Sequence, residues 1–106
     1  DSVSHKQFLN LQKMFTKSIR YEVIDLHHEK STLSGLNALN DFFDKCFGKI
    51  THLKIIHGKG NHSRNNYSPM RSMVRKFLLN TSIVLAFCEA ELKDGGSGAT
   101  YVLIKK

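Results

Sequence analysis

The chain has 106 residues, 41% of them apolar, which is enough for one domain with one hydrophobic core and too few for two. Sixteen Lys and Arg residues against nine acidic residues give a formal net charge of +7, which favours a polyanionic partner such as a nucleic acid. There is no run of 18 apolar residues to cross a membrane, and the first residues lack the apolar core of a signal peptide. We therefore expect a cytoplasmic protein whose isolated domain is monomeric.

The first 20 residues carry apolar side chains at helical spacing. We interpret residues 1–20 as an N-terminal helical arm and residues 21–106 as the globular domain. Within that domain, Cys46 and Cys88 fall in separate apolar segments without a CxxC motif, which predicts reduced core thiols.

The globular region begins with a predicted strand over residues 21–27, rich in β-branched residues. Its alternation places Asp25 and His27 on one face, opposite Ile24 and Leu26. A helix then begins at Ser31 or Thr32, and Gly48 ends it. Its predicted apolar stripe consists of Leu33, Leu36, Leu39, Phe42, Phe43, Cys46 and Phe47.

A second predicted strand covers residues 51–56, and Ser68 and Pro69 supply the cap and first-turn proline of a helix that ends near Leu79. Strands follow over residues 83–90 and 100–104. Short strand-helix-strand links make the first two strands parallel, a second crossover makes the third parallel to them, and the last returns antiparallel. The loops that follow the first three strands therefore meet at one edge of the sheet, where open α/β sheets bind ligands.

The loop after the second strand reads His57-Gly58-Lys59-Gly60-Asn61-His62-Ser63-Arg64. Glycine tolerates positive φ, so Gly58 and Gly60 permit a tight turn that exposes backbone amides, and the basic side chains add positive charge. We predict that this loop binds phosphate together with the glycine-rich loop near the C-terminus. The predicted phosphate-binding residues are Gly58, Lys59, Gly60, Asn61, His62, Ser63, Arg64, Gly95, Gly96 and Gly98.

The predicted catalytic residues are Asp25, His27 and His57. Imidazoles titrate near neutral pH, so His27 and His57 suit the roles of general base and general acid in cleaving a phosphodiester. Asp25 would orient an imidazole or hold a divalent cation. Attack by the 2′-hydroxyl of RNA needs no metal, whereas water attacking DNA favours Mg²⁺ or Mn²⁺ on Asp25.

Three motifs resemble those of the Smr (small MutS-related) domain family. The strand end Ile24-Asp25-Leu26-His27 is similar to the family's LDLHG, the loop at residues 57–63 to its (T/H)GxGxxS, and residues 95–103 to its GGxGaxxVxL segment. Order and spacing agree over residues 21–105. Residues 1–20 lie outside the resemblance and look like the N-terminal extension of the stand-alone bacterial members.

The resemblance implies a two-layer α/β sandwich of order βαβαββ with a four-stranded mixed sheet. It implies similarity to the C-terminal domain of a bacterial translation initiation factor. It also implies nucleic-acid binding and endonuclease activity, either DNA nicking or RNA cleavage, with Asp25, His27, His57, Gly58 and Gly60 as active-site positions. The chain departs from the family at His28, where glycine is usual, and over residues 64–68, where a glycine-containing stretch is common.

Two functions compete for this site. The leading prediction is an endonuclease acting on DNA or RNA. The alternative is a non-catalytic module that grips the phosphate backbone or a branched nucleic acid, and such a module would tolerate the loss of Asp25. An enzyme acting on a small phosphorylated molecule is disfavoured, since these loops contain no recognisable apolar pocket.

Overall fold

The computed structural model describes residues 12–13, 20–59 and 68–106. Its strands and helices follow the predicted order, strand-helix-strand-helix-strand-strand. They are β1 (Glu22–Asp25), α1 (Thr32–Cys46), β2 (His52–Ile56), α2 (Pro69–Leu79), β3 (Val84–Glu89) and β4 (Ala99–Ile104). Two short 3₁₀ turns, Leu92–Asp94 and Gly96–Gly98, connect β3 to β4.

The four strands form one mixed sheet in the order β1-β2-β4-β3. β1 is parallel to β2, while β4 is antiparallel to both β2 and β3. The first three strands therefore point the same way, as predicted, and their carboxyl ends share one edge with the start of β4. This edge is called the carboxyl edge below.

Local sequence explains where the first helix begins and ends. The Ser31 side chain accepts from the Ser34 amide, and the Ser34 side chain accepts from the Ser31 amide in a capping box. The backbone of Phe47 is no longer helical, with ψ of 128°, and Gly48 follows with φ of +82°. The buried residues of the helix are Gly35, Leu39, Phe43 and Cys46.

The predicted apolar stripe of α1 is wrong at both ends. Leu33 is 67% exposed and Phe47 is 50% exposed. Leu33 lies two residues before buried Gly35, which is about 200° around a helix with 3.6 residues per turn, so it points away from the sheet. Phe47 follows the last helical residue, so helical spacing no longer sets its direction.

The two helices pack against each other and against one face of the sheet. Gly35 allows the close approach, since a Cβ there would lie 2.5 Å from Sδ of Met70. The rings of Phe43 and Phe77 meet edge to face, with 5.0 Å between their centroids. The buried residues of this core are Leu26, Leu39, Phe43, Cys46, Ile50, Leu53, Ile55, Val74, Leu78, Val102 and Ile104.

A second buried cluster lies on the other side of the sheet, because successive side chains of a strand point to opposite faces. It contains Cys88, Ala90, Ala99 and Tyr101. The hydroxyl of Tyr101 donates to the carboxylate of Asp94. Burial and this hydrogen bond both raise the pKa of Tyr101. Cys46 and Cys88 are buried free thiols, as predicted, and burial together with the nearby Glu89 charge raises the pKa of Cys88 to about 12.

Most of the predicted N-terminal arm lies outside the described residues. Gln12 and Lys13 are helical, and the Gln12 side-chain amide donates to the Glu89 carbonyl at 2.9 Å. The helical arm as a whole stays a prediction, as does the similarity to the initiation-factor domain. Within the described part of the chain, no helix has the length and apolar character needed to cross a membrane.

Candidate active site

Three chain segments meet at the carboxyl edge. The amide of Leu26, just after β1, donates to the Ile56 carbonyl at the end of β2, over 2.7 Å. The amides of His57 and Gly58 both donate to the Gly98 carbonyl, each over 3.0 Å. The segments that carry Asp25, His57 and Gly98 are therefore direct neighbours, although they are far apart in sequence.

Asp25 and His27 form a hydrogen-bonded pair at the end of β1. Oδ1 of Asp25 lies 2.5 Å from Nδ1 of His27 and also accepts the His27 backbone amide at 3.0 Å. Partial burial acts to raise the pKa of Asp25, but the two hydrogen bonds from His27 and the charges of His27 and His28 outweigh it and lower that pKa. The carboxylate is thus ionised at neutral pH and accepts the proton on Nδ1 of His27, which places Nε2 on the side of the ring away from Asp25.

His28 lies against this pair. Its ring centroid is 3.7 Å from that of His27, with the ring planes tilted by 42°. Asp25, His27 and His28 are all exposed, and one potential ligand atom from each lies within 4.8 Å of the others. The sequence identified His28 as a departure from the family pattern but did not identify it as a site residue.

His57 has a different environment from His27. It is 4% exposed, and its Nδ1 lies 3.0 Å from the Gly58 carbonyl, so Nδ1 must donate. Burial lowers the pKa of His57, with a further contribution from the charge of Arg71, and so the ring is neutral at neutral pH. Nε2 of the neutral ring then accepts from the Thr100 hydroxyl at 2.8 Å. Both nitrogens of His57 are engaged within the protein.

The sheet register separates the two imidazoles that the sequence paired as base and acid. Asp25 is paired with Ile56, so these two side chains share a face, whereas Thr100 is paired with Ile55 on the helix-covered face. His57 contacts Thr100 and therefore lies on the helix-covered side. The Asp25 and His27 pair lies on the side that carries Ile56. The geometry gives no direct acid-base partnership between His27 and His57.

The glycine amides do not have the predicted role. The amide of Gly58 donates to the Gly98 carbonyl, and those of Gly95, Gly96 and Gly98 donate to Leu92, Glu91 and Gly95 carbonyls. These four amides already satisfy backbone acceptors in the two 3₁₀ turns and at the β2 end. The prediction that they present free donors to a phosphate is corrected accordingly, and the glycines instead shape the loops.

Two of the glycines determine how the loops fit around the site. Gly58 has φ of +85°, and a Cβ there would lie 3.6 Å from Cβ of His27. A Cβ on Gly98 would lie 3.0 Å from Cγ of Lys59, so the absence of a side chain lets the lysine stem cross the Gly98 loop. Lys59 is exposed at this edge. Among the described residues of the predicted phosphate loop, Lys59 is the basic group that lies beside Gly98.

Part of the predicted phosphate loop lies outside the described residues. These positions are Gly60, Asn61, His62, Ser63 and Arg64. The chain is described again from Ser68, whose side chain caps α2 by accepting from the Arg71 amide. Met70 near the start of α2 packs against Gly35 near the start of α1, so both helices begin on the side of the carboxyl edge, as the topology predicted. Sequence reasoning missed Thr100, since no local pattern marks it as the partner of His57.

A mixed four-stranded sheet with two helices on one face, and a polar site at the strand ends, defines the chain as a small α/β domain. The sequence profile of the Smr domain family matches residues 24–105. The chain belongs to the Smr domain family, as the motifs predicted.

Individual relatives agree with this assignment. The chain is 39% identical over 57 residues to the probable DNA endonuclease SmrA of Escherichia coli (strain K12), a match that covers 54% of this chain and 30% of that protein. The matched segment thus spans less than a third of the relative.

Two solved structures share the fold. The crystal structure of YdaL, a stand-alone small MutS-related protein from Escherichia coli, matches with a TM-score of 0.78 and 24% identity, over 100% of this chain and 80% of that one. The Smr domain of Thermus thermophilus MutS2 matches with a TM-score of 0.68 and 22% identity, over 80% of this chain and 99% of that one. At these identities the likeness concerns the fold alone.

Proposed function

We propose that this chain is a nucleic-acid endonuclease that cleaves phosphodiester bonds of DNA or RNA in the cytoplasm. The observation that carries the proposal is the Asp25 and His27 pair, exposed at the carboxyl edge where β1 ends beside Gly58. Membership of the Smr domain family and the name of the SmrA relative support the same reaction class. The net charge of +7 favours a polyanionic substrate.

The chemistry assigned to the pair is activation of the attacking hydroxyl. Nε2 of His27 accepts a proton from a water molecule or from the 2′-hydroxyl of RNA, while the oxygen attacks phosphorus. Asp25 holds the ring in the required tautomer and stabilises the imidazolium that forms. The bond between phosphorus and the leaving oxygen then breaks, that oxygen takes up a proton from water, and the His27 imidazolium releases its proton to solvent. In this proposal His57 is a positioning residue, because Nε2 holds the β2 loop against Thr100 of β4 while Nδ1 donates to the Gly58 carbonyl within the loop.

Lys59 is the group assigned to the phosphate. Its ammonium is a point charge at an exposed edge, suited to the negative charge that builds on the phosphoryl oxygens in the transition state. The residues proposed to extend this contact are Gly60, Asn61, His62, Ser63 and Arg64, which continue the same loop. The approach of the α2 N-terminus adds positive potential from the helix dipole.

A divalent cation such as Mg²⁺ or Mn²⁺ at Asp25 remains part of the proposal. The fit rests on the Asp25 carboxylate, which is ionised and exposed and can supply an oxygen ligand. When bound, such an ion supplies Lewis acidity and lowers the pKa of a coordinated water molecule.

The test is cleavage of supercoiled plasmid and of labelled single-stranded RNA by purified chain, each with Mg²⁺, with Mn²⁺ and with EDTA. We expect wild type to cut one of the two polymers and Asp25→Asn to lose about 10²- to 10⁴-fold in rate. Asp44→Asn is the matched control, because Asp44 is an exposed carboxylate on α1 outside the pair. It should cut like wild type.

Binding separates the endonuclease from its competitor. Asp25→Asn should still bind the substrate in a gel-shift assay, since removing a negative charge does not weaken a phosphate contact. If wild type binds both polymers and cuts neither, the catalytic proposal fails and the non-catalytic binding module replaces it. If Asp25→Asn and Asp44→Asn both cut at the wild-type rate, the pair is not the catalytic centre.

A further inference from the structure

The segment Asp25-Leu26-His27-His28 brings one carboxylate and two imidazoles to the same exposed position. The geometry points to a binding site for one imidazole-preferring divalent transition-metal ion, of the class of Zn²⁺ or Co²⁺, held by Asp25, His27 and His28. This inference deepens the proposed function by naming the cofactor class and by giving His28 a role.

The distances fit one ion. Ligand atoms that each lie about 2.1 Å from a tetrahedral ion are about 3.4 Å apart. The three potential ligand atoms lie within 4.8 Å of one another without an ion, and all three residues are exposed. Small side-chain rotations therefore bring them to coordination distance. Three protein ligands leave a position open for water or for a phosphate oxygen, which is the arrangement of catalytic rather than structural zinc sites.

Part of the site is already ordered. The backbone amide and ring of His27 both bind Oδ1 of Asp25, and the His28 ring packs 3.7 Å from the His27 ring, centroid to centroid. Because all three ligands come from four consecutive residues at a strand end, no distant segment has to move to bring them together.

The donor set selects the class of metal. Mg²⁺ prefers oxygen ligands, whereas imidazole nitrogen favours zinc and its neighbours in the first transition series. Two imidazoles and one carboxylate therefore predict a clear preference for Zn²⁺ or Co²⁺ over Mg²⁺. With the ion in place, His27 would hold it instead of acting as the base, and the ion would supply the activation of the nucleophile that the proposed function assigns to His27.

The test measures metal binding without nucleic acid, on the full chain free of any polyhistidine tag. Titration with Zn²⁺ by calorimetry should give one site per chain, and Co²⁺ should give visible absorption bands characteristic of nitrogen-containing coordination. Mg²⁺ should bind at least roughly tenfold more weakly than Zn²⁺. His28→Gln and Asp25→Asn should each weaken Zn²⁺ binding by roughly tenfold or more. Asp44→Asn and Glu29→Gln, carboxylates outside the cluster, should leave it unchanged.

Three results would overturn the inference: Zn²⁺ binding no tighter than Mg²⁺ binding, Zn²⁺ binding unaffected by both His28→Gln and Asp25→Asn, or no Co²⁺ absorption. Circular dichroism of each variant establishes that it is folded. Because these readouts need no cleavage, the metal site can fail while cleavage in EDTA still supports the endonuclease. Equally, a site that binds Zn²⁺ in a protein that cuts nothing would leave the metal inference standing and refute the proposed function.

Discussion

At the scale of single residues, the contact between His57 and Thr100 links the end of β2 to the start of β4. His57 is buried and neutral, and Nε2 accepts from the Thr100 hydroxyl at 2.8 Å. Thr100→Val keeps the side-chain shape but removes this donor, which leaves a buried acceptor unsatisfied. We expect a loss of about 1–3 kcal/mol in the free energy of unfolding, measured by urea denaturation.

Thr100→Ser is the matched control for this prediction. It retains the hydroxyl, so the hydrogen bond to His57 can form and most of the lost stability should be restored. Equal stability of Thr100→Val and wild type would mean that the contact does not hold the loop. It would also remove the argument that His57 is a positioning residue.

The residues of the site differ in how far the sequence predicts them. Asp25 and His27 lie two apart at a strand end, so alternation alone predicts that they share a face, and the structure pairs them. His57 is buried and bonded to Thr100, 43 residues further along the chain, which tertiary packing sets. No local pattern reports such a contact. The prediction that the glycine amides are free donors was wrong for the same reason, because the way the loops fold determines which carbonyl accepts from each amide.

At the scale of elements, α2 is the segment where local sequence and structure agree most closely. Ser68 accepts from the Arg71 amide, Pro69 occupies the first turn, and the helix ends at Leu79 as predicted. Ser68→Ala removes the cap and should cost about 0.5–2 kcal/mol in the free energy of unfolding, measured by urea denaturation.

Ser72→Ala provides the comparison within the same helix. Ser72 is exposed and lies inside α2, so alanine there should change stability by no more than about 0.5 kcal/mol, in the stabilising direction. If the two variants had the same stability, the cap would contribute nothing measurable to α2.

The order of the strands in the sheet is harder to predict from the sequence than the strands and helices themselves. Two strand-helix-strand crossovers predicted that β1, β2 and β3 run parallel and that β4 returns antiparallel, and the register confirms both. No local sequence pattern predicts that β4 lies between β2 and β3. That position follows from side chains of β4 fitting both neighbours, with Val102 and Ile104 facing the helices and Tyr101 facing the other side.

At the scale of the whole molecule, two buried histidines make folding depend on pH. Burial lowers the pKa of both His52 and His57 below the ordinary value of 6.5. The unfolded chain therefore binds more protons than the folded chain once the pH falls below that value. The contribution is fully present above about pH 6.5 and is lost as the pH falls towards the folded-state pKa values.

Urea denaturation between about pH 5 and pH 7.5 tests this dependence. Wild type should lose stability steadily below the middle of that range, and His57→Gln should show a shallower decline because one of the two groups is gone. The lowered pKa of Asp25 acts at lower pH, below its ordinary value of 3.8, and so does not confuse the result. A flat profile in wild type would contradict the burial of neutral imidazoles.

The charge of the whole molecule sets the last prediction, which concerns substrate binding rather than folding. A basic protein that neutralises phosphates releases condensed counterions, so the logarithm of its affinity falls linearly with the logarithm of salt concentration. Lys59 is the phosphate contact proposed beside Gly98. Lys59→Ala should therefore weaken binding to every nucleic-acid sequence and reduce the magnitude of the salt slope by about one.

Lys45→Ala is the matched control, because Lys45 lies in the last turn of α1, at the end of that helix away from the carboxyl edge. It lowers the net charge by the same amount but should leave the slope within the error of wild type, measured by fluorescence anisotropy over a range of salt concentrations. If both variants reduced the slope equally, net charge rather than a local contact would govern binding. If neither did, the phosphate would have to be held by other residues, and Lys59 would lose its assigned role in the transition state.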